Sequence, residues 1–442
     1  SSIFSEIAFP TPGIEALERR SGRIPLGDAL PLAQEQLELL RGVPGVVAAE
    51  AAGSLRRRRD TVGDLDILVA AEDSEAVMEA FAGQESVARV EGRGSTKTSV
   101  EFASGLRAQV WVHPPEKFGT ALQYATGSKD HNVRLRELAL SQGYSLSEHA
   151  LKKEDGEEIL CATEEEVYQQ LGIPWIPPEL REDRGEVQAA KNNKLPKLIQ
   201  SSDVIAELHT HSTWSDGKAS ILEMAEAAIE RGLKVLAITD HSVSLGIGNG
   251  LSVERLEKQK DEIEKARKAL GDDLVLLHGT EMEIKADGSL DFPDEVLAEL
   301  DIVIASVHVS MRQPREQVTE RMLNAIRNPL VDIIAHPTNR LIPDREGADL
   351  DMEAVLAAAA EHDTALEINA NPQRLDLNDI YARRAIELGV KLTINTDAHY
   401  PNQMALMDYG VATARRAWAQ AGDVINTWKP NKLLAWLKNR GG

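Results

Sequence analysis

VIAELHTH at 204–211, VLAITDH at 235–241, LVLLHGTEMEI at 274–284, IVIASVH at 302–308, VDIIAHP at 331–337, ALEINAN at 365–371 and KLTINTDAH at 391–399 are short apolar runs rich in β-branched residues. Between most of them lie helix-period stretches: ILEMAEAAIERG (221–232), VERLEKQKDEIEKARKAL (253–270) and REQVTERMLNAIRN (315–328). Apolar runs alternating with helical periods predict a parallel α/β sheet with crossover helices. Seven such units fit a barrel, in which chemistry belongs at the carboxyl ends of the strands. His209, His211, His241, His308, His336, Asp397 and His399 fall at those ends. Glu281 lies late in its run, and Asp216 lies in the loop past His211.

Two histidines at i,i+2 on a strand share a face, so His209 and His211 are expected to converge. Asp397 and His399 are expected to repeat the arrangement on the last strand. Nine nitrogen and oxygen donors suit two or three divalent ions, with carboxylates free to bridge. A lone histidine on an apolar strand is ordinarily a satisfied core residue. Six at strand ends, joined by three acids, are hard to place in a metal-free core, because buried polar groups need partners. His278 and His362 lack this placement and read as structural. Glu283 shares the strand face of Glu281 but stays outside the ligand set.

The motifs HTHSTWSDG (209–217), TDHS (239–242), GTEMEI (279–284), SVH (306–308), AHP (335–337) and TDAH (396–399) resemble the PHP phosphoesterase domain. The resemblance covers about 203–442 and implies a distorted (β/α)7 barrel with a trinuclear metal centre. It places the ligands at His209, His211, Asp216, His241, Glu281, His308, His336, Asp397 and His399, with Glu281 as the catalytic, bridging carboxylate. Imidazole-rich mixed sites suit Mn2+ or Zn2+ better than Mg2+.

A second constellation is AAGSLRRRRDTVGDLDILVA (51–70): Gly53-Ser54, four arginines, then Asp64 and Asp66 at i,i+2. Two aspartates on one face can bind a divalent ion in front of a phosphate, and Gly53-Ser54 can offer backbone N–H groups to an anion. With VHPPEKFGTALQYATGSKDHN (112–132) and IPPELREDRGE (176–186), the chain from about 24 to 442 resembles bacterial family X DNA polymerases with a C-terminal PHP domain. That resemblance implies a nucleotidyltransferase palm at 24–115, a small thumb at 116–180, a linker at 181–202 and the PHP domain at 203–442. Gly53, Ser54 and Arg57 match triphosphate-binding positions, and Asp64 and Asp66 match two of three catalytic aspartates that hold Mg2+ or Mn2+. Tyr124, Thr126, Gly127 and Asn132 match the segment lining the incoming nucleotide. The third aspartate is expected on GLRAQVWV (105–112), where this chain has Gln109, with Trp111 in place of an arginine. An amide is a weaker cation ligand than a carboxylate. Glu101, before the hairpin turn, is expected on the opposite face. Polymerisation is therefore expected to be impaired or absent.

Relatives of that kind begin with helical lyase-like and fingers regions. Only about 23 residues precede the palm here, so 1–23 reads as a remnant. One cysteine, Cys161, excludes a disulfide framework and fits a reducing cytoplasm. No apolar run approaches a membrane span. EDGEE (154–158) and EEE (164–166) read as solvated acidic surface, and Arg56–Arg59 as a phosphate contact. A net charge of −22 argues against broad DNA affinity. The expected function is a monomeric DNA repair enzyme acting on 3' ends in gapped or primer–template DNA. It combines a metal-dependent 3'-5' exonuclease with a palm that binds dNTP weakly if at all. The alternatives are a histidinol-phosphatase-like phosphomonoesterase and a non-catalytic protein that binds DNA ends.

Overall fold

KTSVEF at 97–102 and RAQVWVH at 107–113 alternate strictly: Thr98, Val100, Phe102, Ala108, Val110 and Val112 are buried, while the residues between them are not. That period of two makes a hairpin with one covered face. The computed structural model describes residues 22–439, in two units divided between Pro196 and Lys197. In the first unit the hairpin belongs to a five-stranded mixed sheet of β1 (Val46–Ala51), β2 (Leu65–Ala71), β3 (Val87–Arg93), β4 (Lys97–Phe102) and β5 (Arg107–His113). The spatial order is β1-β2-β5-β4-β3, with β2 and β5 parallel and the other pairs antiparallel. Val77, Met78 and Phe81 of the helix Ser74–Ala82 are buried, and the Phe81 ring meets Phe102 edge-on at 6.3 Å. Phe118, Ala121 and Leu122 of the helix Phe118–Thr126 pack with Leu68 and Ala70 of β2.

Two expectations fail in this unit. Glu101 pairs with Arg107, and Ser99 with Gln109, so Glu101 points to the same face as Gln109 and not the opposite one. The loop closed by the Phe102 N–H donating to the Leu106 carbonyl sets that register. The run EEE is not all solvated: Glu164 is buried and accepts two hydrogen bonds from Arg56 (2.7 and 2.8 Å) and two from Arg181 (2.7 and 3.2 Å). Those guanidinium groups hold its carboxyl well below the usual range, against the effect of burial. Arg56 is thus committed to a carboxylate inside the unit. The first residues of the segment expected to be linker (181–202) pack within this unit, whose boundary falls at Pro196. Arg181 and Glu186 are buried, and Glu186 accepts from the His131 ring at 2.7 Å.

In the second unit the seven runs become β6 (Ala206–Glu207), β7 (Val235–Ile238), β8 (Val275–Glu283), β9 (Ile302–Ser306), β10 (Ile333–Ile334), β11 (Ala365–Asn369) and β12 (Leu392–Asn395). They pair in parallel, side by side in chain order. A bridge between Thr210 and Ala398 joins the ends of the first and last strands, so the sheet is a nearly closed barrel. Parallel neighbours need crossovers, and the expected helices supply them at Ile221–Glu230, Val253–Leu270 and Arg315–Arg327. Inside, Ala237, Leu277, Ile304, Ile333 and Ala365 pack with Leu433, Trp436 and Leu437 of the helix Pro430–Asn439. Trp436 Nε1 donates to Asp363, just before β11, so this plug fills the amino-terminal end of the barrel. The carboxyl end is left for the polar groups. The expected remnant at 1–23 lies almost wholly outside the described residues. Among the described residues no helix is long and apolar enough to cross a membrane.

Candidate metal centre

The strand ends of the barrel bring the nine predicted side chains together around Glu281. Its Oε2 lies 3.1 Å from His209 Nε2, 3.4 Å from His211 Nε2 and 3.1 Å from His241 Nδ1. Its Oε1 lies 3.2 Å from His308 Nε2 and 2.9 Å from His336 Nε2. Asp397 Oδ1 is 2.9 Å from His211 Nε2, and Asp216 is 3.2 Å from His399 Nε2 and 3.5 Å from His241 Nε2. Eight of the nine fall into three overlapping groups able to hold an ion: His211, Asp216, His241 and His399; His209, His211, Glu281 and Asp397; and His241, Glu281 and His308. His336 stands outside these groups but touches the same Glu281 oxygen as His308.

Backbone geometry differs from the simple strand expectation at the last two ligands. β12 ends at Asn395, and Asp397 has φ +55°, so Asp397 and His399 do not converge by strand alternation. His336 is likewise in the left-handed region, at φ 25°. Such strain gathers where a site over-determines the backbone.

The donor set fits divalent cations. The ring nitrogens His209 Nε2, His211 Nδ1, His241 Nδ1 and His336 Nδ1 are buried without a well-aligned hydrogen bond, although Glu281 Oε2 lies 3.1 Å from two of them, the arrangement of donors that share a cation. His211 stacks on both His241 and His399 at 4.3 Å between ring centroids, a packing that disfavours charge on His211 between them. Burial and the neighbouring His399 and His241 push the His211 pKa down to about 3. Burial works against ionisation of Glu281 and Asp397, but the surrounding imidazoles outweigh it and hold both carboxyls well below their ordinary range.

Sequence reasoning missed Glu367 and placed Glu283 only by face. Glu367 Oε1 accepts from His209 Nδ1 at 2.8 Å, and Oε2 accepts from the His336 backbone N–H at 2.7 Å. Glu283 accepts from His308 Nδ1 at 2.7 Å and from the backbone N–H of His308. Each carboxylate fixes the tautomer of a ligand histidine and leaves Nε2 facing the centre. The available signal was one acid flanked by Leu366 and Ile368 within the strand run ALEINAN, since a buried charge needs a partner. Glu367→Gln is expected to weaken Mn2+ binding about 10- to 100-fold. Calorimetric titration of metal-stripped protein with Mn2+ measures it, and an unchanged affinity would refute that role. His278 instead contacts Gln259 at 3.1 Å, away from the cluster, and His362 only caps a helix.

In the first unit Asp66 and Gln109 are register partners on β2 and β5. Burial, and then Asp64, push the Asp66 carboxyl up to about 6. Gly53 has φ +60°, and a Cβ there would come within 2.8 Å of Asp66 Oδ2, so this turn requires glycine. The single helical turn Gly53–Arg56 follows. Arg57 donates to the Thr126 carbonyl at 2.6 Å and to Glu182 at 3.0 Å, and it borders Gly127. Asn132 donates to the Tyr124 carbonyl at 2.8 Å, and Tyr124 itself is exposed. Gly53, Arg57, Asp66, Thr126 and Gly127 therefore adjoin one another.

Residues 121–182 match the DNA polymerase beta thumb family, and residues 207–371 match the PHP domain. The DNA polymerase/3'-5' exonuclease PolX of Bacillus subtilis (strain 168) is 42% identical over 419 residues, covering 94% of this chain and 73% of that protein. This chain belongs to the PolX family. About half of the chain also resembles smaller proteins. A protein named Probable phosphatase from Thermoanaerobacter sp. (strain X514) is 32% identical over 250 residues, 54% of this chain and 96% of its own length. Another of that name from Shewanella sp. (strain MR-4) is 29% identical over 249 residues, 53% and 92%. The PolX relative covers nearly the whole chain, whereas the phosphatases cover about half of it.

Proposed function

We propose that this PolX-family chain is a metal-dependent 3'-5' exonuclease of DNA repair, hydrolysing phosphodiesters at the PHP centre, joined to a palm (24–115) and thumb (116–180) impaired in polymerisation. The observation that carries the reading is the ring of imidazoles and acids around Glu281, with buried ring nitrogens left for cations. His209, His211, Asp216, His241, Glu281, His308, His336, Asp397 and His399 would hold up to three ions, Mn2+ or Zn2+, with Glu281 between two of them. Such ions, when bound, would supply Lewis acidity toward a phosphate and would acidify a water. The chain itself orients the ring nitrogens through Glu367 and Glu283. Arg374, whose Nε lies 3.8 Å from Asp397 Oδ2 and which also donates to Asn339, is placed to take a phosphate oxygen.

In the palm, we assign a nucleotide to Gly53, Ser54, Arg57, Tyr124, Thr126, Gly127 and Asn132, and Mg2+ or Mn2+ to Asp64 and Asp66. One labelled primer–template, incubated with Mn2+ with and without dNTPs, tests the whole reading. Shortening without extension is expected; a primer left intact under all conditions would reject it. The phosphatase-named relatives support a second reading, a phosphomonoesterase. Turnover of a small phosphomonoester far above that of the primer would favour it.

Protons should compete with the ions. Burial works against charge on His209, His241, His308 and His399, but Asp397, Glu281 and Asp216 outweigh it and raise all four, His241 to about 10. Imidazole binds a cation only when neutral, so loading must expel protons from these rings. A raised pKa keeps the proton on until pH climbs through it, so Mn2+ affinity is expected to rise with pH above neutrality. Nuclease rate is expected to fall towards about pH 5, below the ordinary ~6.5 of histidine. Proton release on adding Mn2+ in weak buffer measures the first effect, and a rate flat down to about pH 5 would contradict the second.

A further inference from the structure

Two loops at the mouth of the metal centre carry aliphatic side chains into solvent. Ile247 is fully exposed at 102%, and Val243 and Val309 are 49% and 38% exposed. Val243 and Ile247 follow His241 in one loop and Val309 follows His308 in the other; the two rings are 5.5 Å apart. A single exposed aliphatic residue is ordinary on any surface. Three beside one pair of ligand histidines, one of them wholly in solvent, call for another use.

The loop after His241 is tethered at both ends. Ser242 Oγ and the Ser244 N–H donate to Asp291 Oδ2 at 2.6 and 2.7 Å. Arg255 Nη1 donates to the carbonyls of Asn249 and Gly250 at 3.0 and 3.2 Å. Between them Gly248 lies so close to the His241 ring that a Cβ would meet Cδ2 at 2.8 Å. Ile247 is therefore presented from an anchored loop, one residue before the glycine that abuts the His241 ring.

We infer that Ile247, with Val243 and Val309, forms an apolar shelf for the unpaired base of the 3'-terminal nucleotide, giving the centre its preference for nucleotide ends. The inference rests on the exonuclease reading. Of the parts of a nucleic-acid end that reach the centre, phosphate and sugar are polar, and only the base has a broad apolar face. Placing that face on the shelf removes apolar surface of both from water. Every base has such a face, so the grip is tolerant of sequence. A chain of net charge −22 gains little hold on DNA from general electrostatics, which leaves non-polar contacts to do more.

The test uses the full chain with Mn2+ and two single-stranded oligonucleotides, one with an ordinary 3'-terminal nucleotide and one whose 3'-terminal residue is abasic. The ratio of kcat/KM for the ordinary end to that for the abasic end is the readout. Parent protein is expected to favour the ordinary end by at least fivefold. Ile247→Ser is expected to bring the ratio close to one, mainly through KM on the ordinary end, and Val243→Ser to lower it in part. A ratio near one in the parent, or one that neither variant changes, overturns the shelf while leaving the nuclease reading standing. Failure of the parent to cut either oligonucleotide removes both.

Discussion

Asp397→Ala is expected to lower the nuclease rate by about 10³-fold or more, as removal of one preorganised electrostatic element typically costs 10²–10³ and removal of an ion costs more. Asp397 Oδ1 faces both His209 and His211, at 3.4 and 2.9 Å, and Oδ2 accepts from Asn369 at 3.2 Å. Its loss strips the one aspartate from the group that also holds His209, His211 and Glu281. His209→Ala should act similarly, because it removes an imidazole whose Nε2 is aimed into that group and whose Nδ1 is already engaged by Glu367. Elemental analysis of both variants should find at least one ion fewer per chain than in the parent, and added chelator should reduce parent activity to their level. Either variant degrading single-stranded 3' ends at the parent rate would mean that the metal centre has been misassigned.

Gln109→Asp is expected to raise primer extension by about 10²–10³ in Mn2+, the usual worth of one electrostatic element at a reacting centre. Gln109 stands opposite Asp66 in the parallel pair of β2 and β5, the place from which a third carboxylate would share a cation with Asp66. The amide there is neutral, so it cannot help lower the pKa of a primer hydroxyl. The comparison is made on a gapped duplex, with the nuclease disabled by His209→Ala in both proteins. Robust extension by the parent, with no gain from the aspartate, would refute the idea. Glu101 would then be the substitute to examine, because the observed register puts it on the face of Gln109. Its carboxylate is held by Arg89 at 2.6 Å, and its cross-strand partner Arg107 reaches Asp64 at 3.3 Å. That tether to Arg89 is the reason to expect Glu101 to serve poorly.

The nine-residue constellation was legible in the chain because its signals are local. An apolar run with an imidazole or carboxylate near its end is a local signal, and seven apolar runs in a row, six of them carrying predicted ligands, leave few folds to choose from. The Asp64/Asp66 pair is local in the same way, whereas the missing carboxylate at Gln109 is what the family resemblance implies. What escaped reading depends on contacts between residues far apart in sequence. Glu367 and its His209 partner are 158 residues apart, and Glu164 and Arg56 are 108 apart. A buried acid and a solvated one look alike until the partner is known, so EEE read as surface and the arginine run as a free phosphate patch. The face of Glu101 turned on a loop closure that residue types do not specify.

Composition and periodicity thus determined the α/β class, the strand count and the donor atoms available to a metal centre, all properties of single segments and their side-chain chemistry. Tertiary structure alone decided which carboxylates serve the histidines, which arginines are neutralised within the fold, and how the left-handed turns at His336 and Asp397 aim their side chains. The physical reason is that a buried charge takes its role from whichever group the fold brings within hydrogen-bond reach, and that choice is made across the barrel and the sheet.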